Sequence, residues 1–173
     1  MNKLKLIIVL SIAILFSSCS EDKDTEPIIQ TGNGFNYKGS FYSVDKAFIK
    51  DFNIIDNEPS KISIVLSNVN PSRTTPKWGD VNYFYFAFEG TNVIEGTITP
   101  VPEYSIRENA DFENFSILAG NTIIRHNDPR VSNIAISSSV NIKSISIDEI
   151  DLDFEFTRPD GEIITGSYKG TYE

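Results

Sequence analysis

From Gly34 to the C-terminus the apolar residues recur almost everywhere at every second position, and no window of a dozen residues keeps a clean i, i+3, i+4, i+7 stripe. A period of two places alternate side chains on opposite faces of an extended chain, so the predicted class is all-β. The plainest case is Val81-Asn82-Tyr83-Phe84-Tyr85-Phe86-Ala87-Phe88-Glu89, with Phe84, Phe86 and Phe88 on one face and Tyr83, Tyr85 and Ala87 on the other. A strand that is apolar on both faces is expected at the centre of a sheet, covered on both sides. The run from Lys61 to Ser67 places Ile62, Ile64 and Leu66 on one face and predicts another strand.

Turn residues divide the remainder. Phe35 to Tyr42 reads as two short strands around Lys38-Gly39, where glycine supplies a positive φ. Ser43 to Ile55 holds Val44, Phe48 and Phe52 at intervals of four and reads either as a helical turn or as a third strand. Asn68 to Asp80, with Pro71 and Pro76, predicts a long loop, and Val93 to Thr99 a hairpin continuation after Gly90. Between Pro100 and Asn133 the pattern is weak: Phe115, Ile117 and Ile123-Ile124 point to short strands, and Gly120-Asn121 and Asn127-Asp128-Pro129 to turns. Val140 and Ile142 keep one register and Ile145 and Ile147 another, which places a β-bulge near Lys143-Ser144. Ile150 to Phe156 alternates without a slip, and Asp160-Gly161 turns it into a closing strand from Ile163 to Tyr172. The architecture expected over residues 34–173 is a single antiparallel β-sandwich or flattened β-barrel.

The N-terminus breaks this pattern. Lys3 and Lys5 precede an apolar run from Leu6 to Leu15 interrupted only by Ser11, and Leu15-Phe16-Ser17-Ser18 leads into Cys19, the one cysteine of the chain. The run falls short of the ~20 apolar residues that span a bilayer and matches a secretory signal. Leu15 to Cys19 resembles the lipobox of bacterial lipoproteins. That resemblance implies cleavage of residues 1–18, a diacylglyceryl thioether on Cys19 and anchoring to the outer membrane. Residues 19–33, which include Glu21-Asp22-Lys23-Asp24, are expected to form an acidic tether. An acidic tract at this place resembles the export signal of Bacteroidetes surface lipoproteins, which makes the cell surface the first expectation and the periplasmic face the second.

Charge and composition narrow the functions. The formal net charge is −9, and loss of residues 1–18 removes Lys3 and Lys5 and no acid, which takes it to −11. A phosphate backbone is repelled by that balance, so nucleic acid is not expected as a partner. With Cys19 lipidated, the domain has no disulfide. His126 is the only histidine, and no Gly-x-Ser-x-Gly elbow is present, so neither a Ser-His-Asp unit nor a His/Cys zinc site is expected. Asp151, Asp153 and Glu155 share one strand face and form the candidate calcium site; two of them also form the candidate acid and base of a glycoside hydrolase. The competing reading is the wet face of a half-buried strand. Trp78, the only tryptophan, with Tyr83 and Tyr85, is the candidate platform for stacking on a sugar ring; otherwise the indole caps the core.

Phe154-x-Phe156 with Asp160-Gly161 and Ile164-Thr165-Gly166-Ser167-Tyr168-Lys169-Gly170, together with the Tyr83 to Phe88 strand and Glu95-Gly96-Thr97, resembles small β-rich lipoproteins of the Bacteroidetes. The resemblance covers about a third of the chain and carries no assigned activity. The sequence therefore points to a non-enzymatic lipoprotein that binds a ligand, with a glycan or an envelope protein as partner and no cofactor. A structural envelope component is the second reading and a carboxylate-based glycoside hydrolase the distant third.

Overall fold

The computed structural model describes residues 31–52, 58–70, 77–113 and 116–173, with the side chains of residues 77, 78 and 116 excluded. The expected signal peptide, Cys19 and most of the expected tether lie outside the described residues.

The fold is all-β. Its strands are β1 (Gly34–Tyr37), β2 (Ser40–Ser43), β3 (Lys46–Asp51), β4 (Ser60–Ser67), β5 (Lys77–Gly90), β6 (Gly96–Ile98), β7 (Glu103–Glu113), β8 (Ser116–Arg125), β9 (Ser137–Ile145), β10 (Glu149–Thr157) and β11 (Ile163–Thr171), and a 3-10 turn lies at Val131–Asn133. They form a six-stranded sheet in the order β2-β1-β11-β10-β9-β6 and a five-stranded sheet in the order β3-β4-β5-β7-β8. All ladders are antiparallel. The chain end ties the two sheets along one side: Tyr172 bridges Ala47, and Glu173 exchanges backbone hydrogen bonds with Ala47 and Ile49. Among the described residues the sheets do not close into a barrel, so the architecture is a β-sandwich.

Local chemistry accounts for much of this. β1 and β2 turn at Lys38 and Gly39, both at positive φ, 49° and 74°, as a tight hairpin turn requires. β5 is central in its sheet, flanked by β4 and β7. In the β9–β10 ladder Ser144 faces Asp151 and Ile142 faces Leu152, which leaves Lys143 as the extra residue of a bulge where the sequence placed one. Gly161, at φ 86°, turns β10 into β11.

Four expectations change. Lys46 to Asp51 is a strand paired with β4, so the helical alternative for this stretch is discarded. β5 begins at Lys77, inside the expected loop. The segment after Gly90 does not fold back on β5, because both edges of β5 are already taken; Gly96 to Ile98 joins the other sheet and pairs with β9. The weakly patterned middle contains two long strands, β7 and β8, and Gly120-Asn121, expected as a turn, lies within β8; Phe115 lies outside the described residues. Register shifts after Ile106 and Glu108, with Asn109 at φ 49°, move the apolar residues of β7 from one face to the other and hide its period.

The core lies between the sheets. Phe84, Phe86, Ile64, Leu66, Ile106 and Ile124 of one sheet meet Leu152, Phe154, Phe156, Val140, Ile142 and Ile164 of the other. The Phe84 and Phe154 rings stack across the interface with centroids 3.9 Å apart. A second apolar cluster, Val81, Tyr83, Ala110 and Phe112, sits on the outer face of the five-stranded sheet, with Val65, Tyr85 and Ile117 packed against it. Apart from Val69, that cluster is drawn from the strands of this sheet, so among the described residues the tyrosine face of β5 is packed by neighbouring strands and not by the second sheet, unlike the expected cover on both sides.

Candidate functional site

The outer face of the five-stranded sheet carries a linked group of polar side chains. Ladder register sets its rows: Tyr83 lies between Ser67 and Arg107, Tyr85 between Val65 and Ser105, Ala87 between Ser63 and Glu103, and Glu89 beside Lys61. Lys61 Nζ lies 2.5 Å from Glu103 Oε2, and the Tyr85 hydroxyl donates to the same oxygen at 3.0 Å. The Lys61 ammonium also sits 6.0 Å from the Tyr85 ring centroid. Glu103 raises the Lys61 ammonium above its ordinary value, and Lys61 holds the Glu103 carboxyl below the usual range. Burial pushes the Tyr85 phenol up.

Beside this group is a cavity of about 520 Å³. Ala87, Phe88, Ile98 and Pro102 form its apolar wall, and Lys61, Glu89 and Glu103 its polar side. The size and the mix of a mostly apolar lining with a few fixed polar groups suit a small ligand. It exists because the chain leaving β5 crosses to the other sheet through β6, so that Ile98 and Pro102 overhang the end of the β5–β7 ladder. A second groove of about 450 Å³, lined by Ile49, Asp51, Ile62, Val93, Ile145 and Tyr172 among others, opens at an end of the sandwich.

The sequence-predicted residues are distributed differently from expectation. Tyr83 is only 8% exposed and packs beside Tyr85, centroids 6.4 Å apart and nearly parallel, and against Phe112 at 5.5 Å. Burial raises its phenol, and its ring belongs to the outer apolar cluster. Tyr85 is the member of the pair that reaches the polar group beside the pocket. The Trp78 side chain lies outside the described residues.

The carboxylate stripe is a ladder of ion pairs. Lys143 Nζ lies 2.7 Å from Asp153 and 3.9 Å from Asp151, and Lys169 Nζ lies 3.2 Å from Asp151. Glu155 is exposed. Ammonium groups stand where a calcium ion would draw the carboxylates together, and among the described residues no three His, Cys, Asp or Glu side chains converge on a metal-sized site. His126 closes β8: its backbone N–H donates to the Tyr104 carbonyl, its Nδ1 lies 3.3 Å from that oxygen, and its ring meets Tyr104 edge-on.

Lys61 and Glu103 carried no sequence signal. They are 42 residues apart, and Glu103 begins a strand that the hydrophobic pattern does not reveal. No protein-family model matches the chain, and no curated protein or solved structure matches it significantly.

Proposed function

We propose that this chain is a bacterial lipoprotein, anchored to the outer membrane through Cys19 and facing the cell surface, whose β-sandwich is a non-enzymatic binding module. The observation that carries the binding half is the pocket at the end of the β5–β7 ladder, with its apolar wall and its fixed Lys61–Glu103–Tyr85 group. Such a group orients a polar ligand atom. Proton transfer near neutral pH needs a group that titrates there. Lys61 and Glu103 are each driven away from neutrality by the other, which favours recognition over acid–base chemistry. The anchoring half rests on Leu15-Phe16-Ser17-Ser18-Cys19.

Two measurements test the two halves. The intact mass of the protein isolated from its native membranes is expected to correspond to a chain starting at a diacylglyceryl-modified Cys19; an unmodified chain retaining residues 1–18 counts against the anchor. For binding, mono- and oligosaccharides are screened by chemical-shift perturbation, with the largest shifts expected at Ala87, Phe88 and Ile98. Ligands that perturb only other surfaces remove the pocket from the account.

A further inference from the structure

Ser105 and Arg107 are successive outward residues of β7, on the same face as the pocket. Across the ladders Ser105 faces Tyr85 on β5 and Arg125 on β8, and Arg107 faces Tyr83 and Thr122. Ser105 is 9% exposed, and both its Oγ and the Nε of Arg107 are buried without a hydrogen-bond partner. Native proteins satisfy nearly all such atoms, and leaving one unmade is most unfavourable when the group is charged. Two of them on neighbouring outward positions of one strand point to a ligand.

The charge around them indicates its sign. In a chain of net charge −9, the groups that act most on Arg107 are the Arg125 charge, the Tyr83 phenol, the Asp128 carboxylate and the Arg130 charge. Asp128 is already engaged, its Oδ1 3.1 Å from Arg130 Nε. Glu103, the next outward residue of β7 before Ser105, is held by Lys61 and Tyr85. Among the described residues no ion pair forms on Arg107 or Arg125. Burial first, and then the Arg125 charge, lower the Arg107 guanidinium from its ordinary value. A guanidinium offers donors only, and a serine hydroxyl can donate as well, so the complementary group is an acceptor with several oxygens.

We propose that Ser105, Arg107 and Arg125 form an oxyanion-binding site for the carboxylate or sulfate of a small organic ligand whose body lies in the adjoining pocket. Outward positions two apart on a strand are separated by ~7 Å, about the length of a sugar ring, which is the step from Ser105 to Glu103 at the pocket wall. This inference deepens the binding reading and is independent of the lipid on Cys19. A failed lipid-mass test leaves it intact, and its own failure leaves the pocket to neutral ligands.

The test follows the arginine Nε–Hε signals of the full chain in nonionic detergent by ¹⁵N-resolved NMR. Sodium sulfate and sodium glucuronate are titrated in turn at an ionic strength held constant with sodium chloride. A saturable shift of the Arg107 signal is expected, with at least about tenfold weaker binding in Arg125→Gln and weaker binding in Ser105→Ala. Arg125 is exposed, so its replacement keeps the test valid even if Arg107→Gln does not fold. Tighter binding of glucuronate supports a ligand body in the pocket, and tighter binding of sulfate supports a tetrahedral head group. A shift that grows linearly without saturating, or equal affinity in Arg125→Gln, overturns the site.

Discussion

Lys61 and Glu103 keep each other charged, and the direction of each shift fixes its pH dependence. Glu103 titrates lower in the folded chain, so its contribution is present above the ordinary carboxylate range and is lost as pH falls through the folded value. Lys61 titrates higher, so its contribution is present below its unfolded value and is lost as pH rises through the folded one. Replacing Lys61 by Met is therefore expected to raise the Glu103 midpoint toward that of an ordinary glutamate in a carboxyl-detected NMR titration; an unchanged midpoint removes the pair. Asp128 is the sharper acid probe. Arg130 draws its carboxyl down to about 2. Its stabilisation is thus lost as pH falls from about 4 toward that value. Asp128→Asn is expected to cost about 1 kcal/mol at neutral pH, most of the partner's charge being in water, and to flatten the acid limb of a stability–pH curve.

Elements differ in how much of them the sequence reveals, and the difference follows the range of the interactions that make them. The β1–β2 turn, the Lys143 bulge and the β10–β11 hairpin are encoded within a few residues, and each was legible. β7 was not, because its bulges reverse the alternation of Tyr104 and Ile106 before Ala110 and Phe112. β6 could be seen as extended chain, but its pairing with β9 depends on which strand edges remain open. The candidate site has the same limit: Tyr85 stood out as an aromatic on a strong strand, whereas Lys61, Glu103, Ser105, Arg107 and Arg125 meet only through strand pairing. Close packing shows at Gly166, between Phe35 and Phe154 in the ladders. A Cβ there would meet the Phe154 ring and lie 2.6 Å from the Gly34 carbonyl oxygen. Gly166→Val is expected to destabilise the fold by about 2 to 3 kcal/mol in a denaturant titration, through overpacking that the paired backbone cannot relieve. Phe84→Ala, which empties the stack on Phe154 at the centre of the sandwich, is expected to cost about 3 to 5 kcal/mol.

At the scale of the molecule, the proposed signal and tether would work with the sandwich as one arrangement. Gly32 and Asn33 are already fastened to β11, through Ser167 and Lys169, so the part of the expected tether ahead of the fold ends at about Thr31. Extended at ~3.1 Å per residue, Ser20 to Thr31 would span roughly 40 Å from a lipid on Cys19. That reach would hold the outer face of the five-stranded sheet clear of the bilayer, available to ligands arriving from outside. Proteinase K added to intact cells, followed by blotting for this protein beside a periplasmic marker and with Cys19→Ala as control, tests this account most directly. Loss of the wild-type protein while the marker survives, and its persistence inside the cell in Cys19→Ala, is the expected result. A wild-type protein that stays as protected as the marker contradicts a surface-facing binding module.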